Sequence, residues 1–142
     1  MKPKFIDYFM KFAELTSTLS YAKRLQVGAV IVKGNQVIAT GYNGMPTGWE
    51  NTCETEIEDG VLKTKQEVLH AETNAIAKVA QSTESSQGAT LFCTHAPCID
   101  CAKLIYQAGI ETVYYKETYR SDDGLNFLRK SGINVHQYPN LV

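Results

Sequence analysis

Two short stretches carry residue types that can do chemistry together: His70-Ala71-Glu72 and Pro97-Cys98-Ile99-Asp100-Cys101. One imidazole and two thiols make three ligands for a zinc ion, whereas a structural zinc normally closes its sphere with four protein ligands. Three ligands leave a position for water, and zinc can lower the pKa of that water to ~7. Glu72 stands outside the ligand count, where a carboxylate can take the water's proton and return it as an acid. The chemistry expected is metal-assisted hydrolysis, with His70, Cys98 and Cys101 on the metal and Glu72 as the catalytic residue. A lone C-x-x-C also occurs in redox motifs and structural zinc sites. His95 is the nearest candidate for a fourth ligand, but a structural site has no use for the carboxylate of Glu72.

The spacing says where these residues must lie. Cys98 and Cys101 stand at i and i+3, so near a helix start both thiolates can reach one ion. The helix N-terminus also favours the thiolate form. His70 and Glu72 are two apart and would point to nearly opposite sides in mid-helix, at ~100° per residue. They can address one centre only at a first turn. The metal is therefore expected between two helix starts.

The supporting elements follow from periodicity. Phe5, Phe9, Phe12, Thr16 and Leu19 recur at helical spacing, with Leu15 to Leu19 extending the same face. Val27–Val32 and Val37–Tyr42 flank Lys33-Gly34-Asn35-Gln36 as a hairpin, the first run apolar enough for burial on both faces. Gly41-Tyr42-Asn43-Gly44-Met45-Pro46 ends the second strand in a loop. Residues 46–66, with Trp49, Cys53 and the acidic Glu54, Glu56, Glu58 and Asp59, are polar and aperiodic, as in a long functional loop. The pattern predicts a helix from Glu67 to about Gln81, with Leu69, Ala75, Ile76, Val79 and Ala80 facing inward. A strand over Ala89–Thr94 precedes a helix from Pro97 to Gln107, capped by Gly109. Then come a strand at Thr112–Tyr115, a short helix through Leu125, Phe127 and Leu128 stopped by Gly132, and a last strand at Asn134–Tyr138. His136 in that strand needs no role beyond a solvated or satisfied histidine. Strands joined through helices should be parallel with right-handed crossovers. The expected fold is α/β: a three-layer α/β/α domain over residues 1–142, a mixed five-stranded sheet with helices on both faces, its last two strands parallel.

Composition narrows the class. At 142 residues the chain suits one domain, and 44% hydrophobic with 20% charged residues is ordinary for a globular protein. No apolar run approaches the ~18 residues of a membrane span, and the N-terminal segment is unlike a secretory signal peptide. A net charge of −1 argues against a polynucleotide surface but not against one phosphate held by a local arginine or two. The four cysteines do not suggest a disulfide framework, which points to a reducing cytoplasm.

The pairing H-x-E…P-C-x-x-C is that of the zinc nucleobase deaminases. Over nearly its whole length the chain resembles the deoxycytidylate (dCMP) deaminases of the cytidine deaminase superfamily. The matching residues are Val27-Gly28-Ala29-Val30-Ile31-Val32, Gly41–Pro46, His70-Ala71-Glu72-Thr73-Asn74-Ala75-Ile76, Pro97–Ile105 and Gln107–Ile110; Gly41–Pro46 is the most specific. The resemblance implies hydrolysis of dCMP to dUMP and ammonia, supplying thymidylate synthesis. It also implies a homohexamer, activated by dCTP and inhibited by dTTP with Mg2+ on the triphosphate. By the same likeness Arg24 and Arg120 would hold the 5′-phosphate, Asn43 the sugar and the Ala71 N–H the base carbonyl. Thr94 would join the substrate site and Tyr119 would gate it, while Asn43, Gly44 and Met45 would form the effector site. Glycine there would let backbone N–H groups approach a phosphate. Many relatives carry a cysteine where this chain has Ala22, and with one like Cys53 it helps bind a second, structural zinc; none is expected here. Deamination of a free nucleoside, or of cytosine or adenine in a nucleic acid, are the alternative activities.

Overall fold

The run Gly28–Lys33 (β1) is buried from Gly28 to Val32 and forms the second strand of a five-stranded sheet. β1 turns through Gly34 and Asn35, both at positive φ, into the antiparallel Gln36–Tyr42 (β2). The turn residues suit the left-handed conformation such a hairpin needs. The computed structural model describes residues 1–139; residues 140–142, the end of the predicted domain, lie outside them.

The remaining sheet strands are Thr90–His95 (β5), Thr112–Glu117 (β6) and Asn134–Gln137 (β7), in the order β2-β1-β5-β6-β7. β5 pairs antiparallel to β1, while β5–β6 and β6–β7 are parallel. The expected mixed sheet with its last two strands parallel is observed. Helix Pro3–Ser17 (α1) covers one face, packing Ile6, Phe9, Met10 and Ala13 on Val30, Val32, Phe92 and Tyr114. Helices Ala71–Ala80 (α2), Ile99–Gln107 (α3) and Asp123–Lys130 (α4) cover the other, burying Ala75, Ile105 and Leu128 against Ile31, Leu91 and Val113. Among the described residues no helix is long and apolar enough to cross a membrane.

Three expectations are corrected. First, residues 46–66 are not all loop: Glu54–Glu58 (β3) and Val61–Thr64 (β4) form a separate two-stranded hairpin. Its turn is Asp59-Gly60, both at positive φ. Second, the buried stripe of α1 runs through Ile6, Phe9, Met10, Ala13 and Thr16, so Leu15 lies off it and is exposed, and Leu19 is exposed beyond the helix end at Ser17. The hydroxyls of Ser17 and Thr18 bond back to the carbonyls of Glu14 and Leu15, adding side-chain bonds at the helix end.

Third, α2 begins at Ala71, not Glu67. Leu69 exchanges both backbone hydrogen bonds with Gly44 (N···O 3.1 and 2.8 Å), which holds this segment extended. Leu69 is consequently exposed, as is Ala80 at the other end. Likewise α3 begins at Ile99, with Cys98 as N-cap and Pro97 just before it.

Candidate active site and metal centre

Both motif halves sit at helix starts. His70 is the N-cap of α2 in extended backbone (φ −84°, ψ 153°), and Cys98 is the N-cap of α3 (φ −69°, ψ 170°). An N-cap side chain leaves the helix axis, so His70 escapes the mid-helix geometry that would separate it from Glu72. His70 Nδ1 lies 3.2 Å from Cys101 Sγ and 3.6 Å from Cys98 Sγ. The three ligand atoms all lie within 4.8 Å of one another. A tetrahedral zinc, ~2.3 Å from sulfur and ~2.0 Å from nitrogen, sets an N···S edge of about 3.5 Å. The donor set fits zinc in type and in spacing.

Charge at the site makes the same point. Hydrogen bonds from the Cys101 thiol and from His70 pull the Cys98 thiol down to about 4. The neighbouring Cys98 sulfur and burial push the Cys101 thiol up, while the bond to Cys98 raises His70. Two sulfurs this close ionise together only around a cation, which deprotonates a coordinating thiol outright. Glu72 is 4% exposed, at the second position of α2, and its burial pushes the carboxyl upward. A buried carboxyl shifted in this direction is a better proton acceptor than an exposed one.

Two glycines explain why the helix starts stand where they do. A Cβ on Gly41 would meet the Ala71 carbonyl oxygen at 2.2 Å and the Ala75 nitrogen at 2.6 Å. The first turn of α2 thus rests directly on β2. A Cβ on Gly124 would meet the Pro97 carbonyl oxygen at 2.1 Å, so the start of α4 braces the Cys98 segment in the same way.

The ligand cluster opens into a cavity of about 660 Å3, whose walls include Arg24, Asn43, His70, Ala71, Glu72, Cys98, Tyr119 and Arg120. The volume falls in the range of small-molecule sites. Arg120 lies over the Tyr119 ring, 5.5 Å from its centroid, and Arg24 Nη1 donates to Thr64 Oγ1 at 3.1 Å. As first residue of α2, Ala71 has an N–H with no acceptor inside the helix.

Thr94 and Asn43 are engaged by backbone. Thr94 Oγ1 accepts the Gly28 N–H (3.1 Å) and shares a hydrogen bond with His95 Nδ1 at 2.9 Å. His95 lines the cavity but is not in the ligand cluster. Asn43 Oδ1 accepts the Val27 N–H and its Nδ2 donates to the Leu25 carbonyl, each at 2.8 Å. The amide clamps strand β1's approach and keeps one N–H for a ligand. The Gly44 N–H is spent on Leu69, so that amide cannot serve a phosphate as the glycine suggested. Met45 lies on a separate depression with Trp49, Lys63 and Lys65.

Glu54, Thr64 and Glu117 also line the main cavity, though their spacing in the sequence did not mark them as site residues. Glu54 and Thr64 belong to the unpredicted hairpin, whose Asp59-Gly60 turn was the available signal.

Comparison with known proteins agrees with this geometry. The family model for the cytidine and deoxycytidylate deaminase zinc-binding region matches residues 3–117. Deoxycytidylate deaminase of Saccharomyces cerevisiae is 38% identical over 97% of this chain, which spans only 46% of the yeast protein. That of Enterobacteria phage T4 is 34% identical over 92% of this chain and 88% of its own. The crystal structure of dCMP deaminase from cyanophage S-TIM5, in complex with dCMP and dUMP, superposes with a TM-score of 0.90. It is 48% identical and covers 96% of this chain and 98% of that one. With its zinc-ligand cluster, its buried carboxyl and its mixed sheet, the chain belongs to the cytidine and deoxycytidylate deaminase family.

Proposed function

We propose that the chain hydrolyses dCMP to dUMP and ammonia. The observation that carries this reading is one cavity joining the His70–Cys98–Cys101 cluster and Glu72 to two arginines, Arg24 and Arg120. A nucleobase deaminase needs the first group; only a phosphorylated substrate needs the second. The 48% identity to the phage enzyme bound to dCMP and dUMP supports the same substrate.

His70 Nδ1 and the sulfurs of Cys98 and Cys101 would hold the zinc, which when bound makes a water nucleophilic near neutral pH. Glu72 takes the proton of that water and passes it to ring N3. With the water's oxygen now bonded to the amino-bearing ring carbon, Glu72 takes the second proton from that hydroxyl and gives it to the exocyclic nitrogen; the carbon–nitrogen bond breaks, ammonia leaves and the carbonyl of dUMP forms. The Ala71 N–H is placed to bond the base carbonyl, and the free N–H of Asn43 to bond the sugar. Thr94 supports the floor through Gly28 and His95. Arg24 and Arg120 bind the 5′-phosphate, with Tyr119 beneath the Arg120 guanidinium.

Regulation follows the family likeness: dCTP activates and dTTP with Mg2+ inhibits. The depression lined by Met45, Trp49, Lys63 and Lys65, about 740 Å3, supports an effector site beside Asn43 and Gly44. A homohexamer is supported by the exposed Tyr8, Leu15, Leu19 and Tyr21 along and after α1. The product would feed thymidylate synthesis in the cytoplasm, a setting that suits four free thiols.

Ammonia release from dCMP, CMP, deoxycytidine and single-stranded DNA tests this, each with and without dCTP and dTTP. dCMP should exceed deoxycytidine by ~100-fold in kcat/KM, as expected of lost charge-assisted hydrogen bonds. Equal rates on the two would overturn phosphate recognition, and preference for DNA would overturn the mononucleotide reading. Rates indifferent to both triphosphates would remove the effector site.

A further inference from the structure

The lining of the cavity includes a carboxylate, Glu54, with no part in the chemistry above. Glu54 opens β3 and is 8% exposed. Its Oε2 accepts the backbone N–H of Lys23 at 2.9 Å and that of Arg24 at 3.1 Å. Two consecutive N–H groups on one carboxylate oxygen fix the backbone at the root of the Arg24 side chain. At the other end of that side chain, Nη1 donates to Thr64 Oγ1. Thr64 is the residue paired with Glu54 across the β3–β4 ladder. One rung of the hairpin therefore grips Arg24 at both ends.

A buried negative charge on an anion-binding wall would repel the anion unless its field were taken up locally. Here two backbone dipoles take it up. An arginine on a free loop would also lose rotamer freedom on binding, and a pre-aimed one loses less. We propose that Glu54 is a positioning residue for phosphate recognition, holding residues 23–24 so that Arg24, with Thr64, is aimed into the cavity. The inference rests on Arg24 being a partner of the substrate phosphate.

The zinc-loaded full chain is assayed for kcat and KM on dCMP and deoxycytidine, as wild type and as Glu54→Ala, Glu54→Gln, Thr64→Val, Arg24→Gln and the double variant Glu54→Ala/Arg24→Gln. Glu54→Ala should raise the dCMP KM ~10-fold with kcat within ~2-fold, and narrow the dCMP-over-deoxycytidine preference by the same factor. Glu54→Gln keeps an oxygen acceptor and should recover to within ~3-fold of wild type. Thr64→Val, at an exposed position, should show a smaller rise in the same KM. In the Arg24→Gln background, Glu54→Ala should add nothing, because both act on one contact.

Equal losses on dCMP and deoxycytidine, or additive losses in the double variant, would make Glu54 a mere hairpin anchor and overturn the proposal. If Glu54→Ala does not fold, an unchanged dCMP KM in Thr64→Val overturns it as well. Should Arg24→Gln narrow the preference while the Glu54 variants do not, phosphate recognition stands and only the role of Glu54 falls. Should Arg24→Gln leave the preference intact, the reading of Arg24 falls and takes the role of Glu54 with it.

Discussion

The two ends of the cavity are built on different principles. At the metal end, every functional side chain projects from the start of a helix packed on the sheet: His70 and Glu72 on α2, Cys98 and Cys101 on α3. Backbone contacts at Gly41 and Gly124 leave those starts no room to shift. At the other end, Arg24 and Arg120 are exposed side chains on connecting segments, their guanidinium groups held by one hydrogen bond to Thr64 and one ring contact with Tyr119 respectively. Reaction chemistry needs atoms placed to a fraction of an ångström, so it sits on packed elements. The proposed phosphate recognition by Arg24 and Arg120 tolerates looser placement, on loops that can vary without disturbing the core.

The largest expected effect lies at the packed end. Glu72→Gln removes the proposed proton carrier but none of the three metal-ligand candidates, and should lower kcat by ~1,000-fold or more. Zinc content measured on the same protein should stay at the wild-type level. Substantial residual turnover would place the proton carrier elsewhere in the cavity.

Next come the two braces. Gly41→Ala and Gly124→Ala each drive a Cβ to near 2 Å from a carbonyl oxygen of the ligand-bearing segments. Each should cost ~3 kcal/mol, at the upper end of overpacking effects. Both should also lose zinc occupancy more readily on dilution, Gly41→Ala through His70 and Gly124→Ala through Cys98. Thermal unfolding together with metal analysis reads both; wild-type stability and occupancy in either variant would mean that helix start is not braced as described.

The loose end should respond differently. Arg120→Gln should raise the dCMP KM by ~10- to 100-fold, with little change in stability or zinc content. A loss of stability comparable to that of the glycine variants would erase the distinction between the two ends.

The same contrast explains what could be read from the chain without its coordinates. The sheet was legible because β1 is a nearly continuous apolar run, β5 and β6 each carry a buried apolar or aromatic centre, and the turns carry glycine. The metal ligands were legible because each half of the site is local in sequence, and its spacing fits only a helix start. The β3–β4 hairpin was not, since apart from Glu54 its side chains are largely solvent-facing and leave no alternating apolar signal. The true start of α2 depends on a backbone pairing between Gly44 and Leu69, which neither stretch announces by itself. Arg24 could be suspected as a cation but its setting could not be foreseen. The bonds that hold it come from residues 30 and 40 positions away.

The smallest effect belongs to the face that serves neither end. Lys116 on β6 pairs with Glu14 of α1, and both side chains are more than a third exposed. Water screens such a pair, and its contribution is ~0–1 kcal/mol. Glu14 is not among the residues of either cavity, and α1 packs on the opposite face from α2, α3 and α4. Glu14→Gln should therefore shift the unfolding midpoint by only a few degrees, and less at high salt, where the ion pair is screened in the wild type as well. Its KM and kcat on dCMP should match wild type. A change in either constant would mean that α1 is coupled to the cavity through the sheet, and the division into a rigid chemical end and an adjustable recognition end would have to include the far layer.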